Sequence, residues 1–303
     1  MRPQIVVGLG GSTGGHALAW ALDQAAGCAG QLLICHGCRP DSALATAGPH
    51  PPLALLELAD PALARAIAAA RRRLGGDRVQ LLIRPEHPAG LLLDAARRAD
   101  LVVVGAATGR PGDDRDQRHD RSTGTAYIVA RQAGCPVAVV RPTGGAGQLG
   151  QVVVGADDPG LIDAQLAAAF DWADQHRCGL TVLTGGATDH DGRPPAARLG
   201  PWRRAYPQVP VQVRPAGADP VPEMLRCARG ARLLVVARDP RRPAGRRTGR
   251  ALRTLLTQAT APVLVTGGAA QSATASESIR SMVRSCSPSS VTAAPASASG
   301  AGG

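Results

Sequence analysis

Short unbroken apolar runs alternate with longer stretches of helix formers from the start of the chain to residue 266. In the first half the runs predict strands at 5–9, 32–36, 79–84, 101–104 and 137–141, and the stretches between them predict helices at 15–26, 61–74, 88–98 and 125–133. Strand and helix in turn is the signature of right-handed β-α-β crossovers, hence of a parallel sheet between helical layers. The runs are continuously apolar instead of alternating, which suits strands covered on both faces. In the second half strands are predicted at 152–155, 180–183, 209–214, 233–236 and 263–266. Residues 185–207 are rich in Gly, Pro and Arg, so the second helix of that half is expected to be short or absent.

The two halves are copies. Val6-Val7-Gly8 returns as Val153-Val154-Gly155, Leu101 to Val104 as Leu233 to Val236, and Cys135-Pro136-Val137 as Ala261-Pro262-Val263. The offsets fall from 147 to 132 to 126, so the second copy is the same unit with shorter loops. Units are expected at 1–142 and 151–267, joined by a Gly-rich linker at 143–150. Residues 268–303 are Ala, Ser, Thr and Gly with few large apolar side chains, a composition expected to remain disordered.

Aromatic residues make up only 2% of the 303 positions, so Ala, Val and Leu must fill the cores. Every basic residue is Arg, and the formal net charge is +11. The excess is spread, with 16 Arg against 12 acids in 1–146 and 16 against 10 in 147–267. A spread excess supports solubility and loose attraction to polyanions, and by itself argues against a nucleic-acid site. No apolar run is long enough to span a bilayer, and the first one lacks the form of a signal peptide. Seven Cys without framework spacing suit a reducing cytoplasm.

Three segments carry a resemblance: Ile5 to Ser12 (IVVGLGGS), Ala99 to Gly105 (ADLVVVG) and Ala133 to Arg141 (AGCPVAVVR). In that order, and echoed in the second copy, they make the chain similar to tandem universal stress proteins of the actinobacterial type. The resemblance implies two Rossmann-like domains of the adenine nucleotide alpha hydrolase-like kind, each a five-stranded parallel sheet of order 3-2-1-4-5 flanked by helices. It also implies pairing of the units through their last strands, 137–140 and 263–266, as an intrachain pseudo-dimer, with homodimerisation open to the whole chain. The nucleotide of such domains lies at the carboxyl ends of the strands, where the strand order switches. That place has its own physical support in open α/β sheets and in the affinity of helix N-termini for phosphate.

Family members that bind ATP carry an Asp after the first strand and a loop Gly-x2-Gly-x9-Gly-Ser/Thr after the fourth. Here Leu9, Gly10 and Ser12 stand after the first strand, with Gly10 at the Asp position. After the fourth strand Gly105 is kept, Gly109 lies one place beyond the second glycine, and the segment runs on to Ser122, Thr123, Gly124 and Thr125. Two alignments of that end remain open, one placing the final pair on Gly124-Thr125 and one on Thr123-Gly124. In the second copy Asp157 occupies the adenosine position, but Pro159 replaces the Ser and Ala237 the first glycine. The loop there carries Arg at 238, 241, 242, 246, 247, 250 and 253, either a side-chain anion site or an exposed Arg-rich loop.

Cys35-His36-Gly37-Cys38 has redox and zinc spacing but lies at a strand end with no second ligand pair, which favours a structural role for His36. No nucleophile, base and acid, and no paired carboxylates, fall where the fold would gather them. The resemblance, with no catalytic constellation beside it, implies a non-enzymatic stress-response regulator with one ATP or adenine-nucleotide site in the first unit, Mg²⁺ arriving with the nucleotide. The alternative is a scaffold of the same fold without nucleotide, binding polyanions through residues 238–253.

Overall fold

A computed structural model describes residues 2–106, 121–142, 150–156, 162–185, 195–217, 219–238 and 246–267. The expected linker, apart from Gly150, and the expected disordered tail lie outside these residues, as do Gly109 and Asp157. The first unit runs β1 (Gln4–Gly8), α1 (Gly14–Gly27), β2 (Gln31–Gly37), α2 (Ala43–Thr46), α3 (Leu53–Ala59), α4 (Pro61–Leu74), β3 (Val79–Arg84), α5 (Pro88–Ala96), β4 (Leu101–Gly105), α6 (Arg121–Gln132) and β5 (Val137–Val140). The second runs β6 (Val152–Ala156), α7 (Ile162–Gln175), β7 (Leu180–Gly185), α8 (Leu199–Ala205), β8 (Val211–Gly217), α9 (Pro220–Ala228), β9 (Leu233–Ala237), α10 (Arg246–Gln258) and β10 (Val263–Thr266).

All ten strands form one sheet, ordered β3-β2-β1-β4-β5-β10-β9-β6-β7-β8. Each half is the order 3-2-1-4-5, parallel throughout. The halves meet through β5 and β10, which pair antiparallel, with Val139 opposite Val263 and Val137 opposite Val265. This pairing covers the apolar edge that each unit would otherwise expose.

Local signals set most of the helix ends. Helix α4 begins at Pro61, its first turn capped by the Asp60 carboxylate accepting from the Leu63 N–H at 2.9 Å, and it stops at Gly75, whose φ is +97°. Asp219 before Pro220 starts α9 in the same way. Two short helices, α2 and α3, arise where no helix was expected, between β2 and α4. They bury only Leu44 and Leu56, so their sequences carry too little periodicity to announce them. The second copy has the expected short helix, α8. Its seven residues do the work of the fourteen of α4 because Trp202, and Tyr206 just beyond the helix end, pack on Phe170 of α7 with ring centroids 5.8 and 5.5 Å away.

One core layer holds α1, α4 and α7, the other α5, α6, α9 and α10, and each layer crosses from unit to unit. On the first face Trp20 of α1 stacks on Trp172 of α7 at 5.3 Å and 7°. Trp172 also lies against His176, whose Nδ1 meets the Arg232 guanidinium at 3.2 Å. Burial, then the charge of Arg232, lowers the His176 pKa to about 4, with Asp23 a smaller opposing influence. His176 therefore stays neutral in the folded chain while the unfolded chain protonates near 6.5. Stability is complete above that value and falls as the pH drops from 6.5 toward 4, by about 2 kcal/mol after allowance for partial exposure. Urea melts at pH 7 and pH 4.5 check this, and His176→Gln should remove that part of the pH dependence; an unchanged difference would disprove the assignment.

Candidate functional site

Strand β1 lies between β2 and β4, so the order reverses at the β1–β4 boundary of the first unit. Two connections leave the carboxyl ends there. The β1–α1 turn contains Leu9, Gly10, Gly11, Ser12 and Thr13. The segment after Gly105 leads to the N-terminus of α6. Of the sequence-derived candidates, Leu9, Gly10, Ser12, Gly105, Gly124 and Thr125 are described in full, and Ser122 and Thr123 as the backbone of the first turn of α6.

The turn after β1 is held from two sides. The Leu9 N–H donates to the Cys35 carbonyl at 2.9 Å, and His36 Nδ1 meets the Leu9 carbonyl at 2.7 Å. His36 is thus a structural ligand of the turn. Its neighbour Cys35 is buried, which pushes the thiol pKa up to about 12, so this Cys is a poor nucleophile or metal ligand. Among the described residues no three His, Cys, Asp or Glu gather into a metal-binding group.

Beyond Leu9 the turn opens. Gly10, Gly11 and Ser12 are exposed, Gly11 in the left-handed region at φ +62°. A Cβ placed on Gly10 would meet nothing within 4 Å, and the same is true of Gly124 in the first turn of α6. Helix α6 begins at Arg121, four residues earlier than the sequence suggested, so Ser122, Thr123, Gly124 and Thr125 all lie in the turns whose N–H groups lack helical acceptors or have just gained them. That first turn supplies backbone donors and the positive end of the helix dipole.

Gly105 has a different reason to be glycine. A Cβ there would lie 2.5 Å from Thr13 Oγ1 and 2.7 Å from the Thr13 carbonyl oxygen. The β1–α1 turn therefore sits on the end of β4, and Thr13, 3% exposed, seals that contact. The close approach that Gly105 permits is by Thr13. No local pattern marked Thr13, because the residue it touches is more than ninety positions away.

The second copy differs most at Arg238. The sequence groups it with the Arg-rich loop that follows, either a side-chain anion site or an exposed loop, but it is 7% exposed and faces the first unit. Its Nη1 donates to the Arg131 carbonyl at 2.6 Å and its Nη2 to the Ala133 carbonyl, at the C-terminal end of α6. Arg141, 4% exposed and just past β5, reaches the other way and donates to the Leu256 carbonyl in the last turn of α10. The first copy has Ala106 where the second has Arg238, and the second has Gly267 where the first has Arg141. Each arginine thus tethers one unit to the C-terminal carbonyls of the other's last helix, a favourable end for a cation. Arg238 is removed from the candidate anion loop for that reason.

Residues 1–141 match the universal stress protein family. The chain is 29% identical over 278 residues to a universal stress protein of Mycobacterium tuberculosis, covering 88% of this chain and 96% of the relative. It is 27% identical over 258 residues to one of Mycobacterium bovis, covering 77% and 85%. Among solved structures, a universal stress protein from Archaeoglobus fulgidus has the same fold, with a TM-score of 0.60 at 10% identity, over 88% of this chain and 96% of that one. A functionally unknown protein from Pseudomonas aeruginosa does too, at 0.55 and 16%, over 92% and 97%.

Proposed function

We propose, for a chain whose residues 1–141 belong to the universal stress protein family, a cytoplasmic, non-enzymatic regulator that binds one adenine nucleotide in its first unit. The units are 1–142 and 151–267, with 143–150 between them. Leu9, Gly10 and Ser12 would border the adenosine. Gly109 and the backbone of Ser122, Thr123, Gly124 and Thr125 would meet the phosphates of ATP, with Gly105 fixing the floor through Thr13. Mg²⁺ would come with the nucleotide.

The observation that carries this reading is the open space at Gly10 and Gly124, exposed glycines on either side of the switch point. A side-chain position at either glycine is free of protein atoms, which leaves room for a phosphate chain beside the helix N-terminus. In the second unit Asp157 would be a remnant, since Arg238 has been turned toward the first unit.

Calorimetric titration of Mg·ATP into the full chain tests the proposal, with one site per chain expected. Gly10→Asp restores the family's acid in open space and should tighten binding about tenfold, the worth of one charge-assisted hydrogen bond. Gly124→Glu sets a negative charge beside the phosphates and should weaken binding at least tenfold, while the same charge favours the helix N-terminus and so spares the fold. Absence of saturable heat at millimolar ATP in both the parent and Gly10→Asp would sink the nucleotide reading and leave a scaffold acting through its surfaces.

A further inference from the structure

Helices α6 and α10 pack against each other on one face of the sheet, across the boundary between the units. Neither contains an acidic residue. Tyr127 of α6 lies between them, its hydroxyl donating to the Gly249 carbonyl of α10 at 3.4 Å. Two guanidinium groups stand over its ring, Arg131 from α6 at 5.7 Å and Arg253 from α10 at 5.8 Å. Arg250, next to Gly249, is exposed on the same helix as Arg253, and Arg131 and Arg253 are exposed as well. None of the three forms an ion pair among the described residues.

The helices that flank this pair offer no counter-charge. On α5, Asp94 is taken by Arg84 and Arg97 at 3.7 and 3.8 Å. On α9, Glu223 is paired with Arg226, and that hydrogen bond holds its carboxyl below the usual range. Like charges have thus been brought together from two units over one aromatic ring, whose negative face offsets part of their repulsion. Among the described residues the charge that remains on this face is that of Arg131, Arg250 and Arg253, all exposed.

We propose that this α6–α10 seam binds the phosphate backbone of duplex nucleic acid, without reading its sequence, through Arg131, Arg250 and Arg253. Guanidinium groups match phosphate oxygens in fork geometry. On α10 the three-residue step from Arg250 to Arg253 advances about 4.5 Å along the axis. A duplex offers a negative charge about every 1.7 Å, so all three side chains find a phosphate without the partner having to fold around them. Acidic peptides must order themselves to present charge at that density, which favours the duplex. The charge that looks diffuse along the sequence is concentrated here by the fold. The inference stands apart from the nucleotide reading, since the seam is built on the exposed side of α6 and α10 and needs no residue of the β1–α1 turn.

The test is fluorescence anisotropy of a labelled 20-base-pair duplex of arbitrary sequence with the full chain, from 50 to 200 mM salt. Saturable binding is expected, with log K falling against log salt at a slope near −3, as three phosphate contacts require. Neutralising Arg131, Arg250 and Arg253 to Gln should lower affinity at least tenfold and flatten the slope to near zero, with the far-UV circular dichroism unchanged. Neutralising Arg71, Arg72 and Arg73 on α4 removes the same charge from another face and should leave both quantities as they were. Equal losses in the two variants would show attraction by net charge alone and overturn the seam. Absence of binding at 50 mM salt would overturn it too, and equally tight binding of polyglutamate would overturn the assignment to nucleic acid.

Discussion

Arg238→Ala is expected to cost about 3–5 kcal/mol and to split one cooperative unfolding transition into two. The side chain is buried, and its guanidinium satisfies the Arg131 and Ala133 carbonyls at the end of α6, more than a hundred positions away in the chain. Truncation leaves those acceptors in a space that water enters poorly, and charged hydrogen bonds of this kind cost several kcal/mol to break from one side. Because both acceptors belong to the other unit, the loss falls on docking. The Trp20–Trp172 stack and the β5–β10 pairing remain, so the units should stay in contact under native conditions and separate early in denaturant. Urea titration followed by circular dichroism measures this, with the two-state test applied to each variant. A single transition at the parent's midpoint would mean that Arg238 does not tether the units. Arg141→Ala should act in the same direction through α10.

Gly105→Val is expected to destabilise the first unit by about 3 kcal/mol or more and to disturb the β1–α1 turn. Insertion of methyl groups into a packed site costs about 1–3 kcal/mol when side chains can yield. Here one of the nearest obstacles is the carbonyl oxygen of Thr13, 2.7 Å from the new Cβ, and Ala17 N–H donates to that oxygen at the start of α1. Relief would require α1 to move, and Thr13→Ala would remove the hydroxyl but leave the carbonyl in the way. Loss of nucleotide binding in Gly105→Val would therefore report a broken turn as readily as a blocked phosphate, whereas Gly10 and Gly124 have room and report on the cleft itself. A Gly105→Val chain with the parent's stability in urea would overturn the packing account.

The sequence by itself determined the ten strands and their duplication, while their order within each unit was implied by the family resemblance. A parallel strand buried on both faces must be a continuous apolar run, as Leu101 to Val104 and Leu233 to Val236 are, and such runs are legible one at a time. Helix caps are equally local, as the Asp60 and Asp219 carboxylates that cap α4 and α9 show. Helices α2 and α3 escaped because each buries one leucine, less than a periodic signal needs.

Only the tertiary structure decided what the arginines and one of the glycines are for. In sequence Arg238 belongs with Arg250 and Arg253 as one basic loop; folding buries the first under α6 and leaves the other two on the surface beside Arg131. Gly105 reads as a phosphate-loop glycine, and the structure sets Thr13 against it. The candidate cleft shows the same division, since the sequence located the turn after β1 and the segment leading to α6, while openness at Gly10 and Gly124 depends on what surrounds them. A strand or a cap is encoded by residues within a few positions of one another. A buried guanidinium, a sealed glycine and a gathered positive surface depend on partners brought in from up to a hundred or more positions away, and no local pattern holds that information.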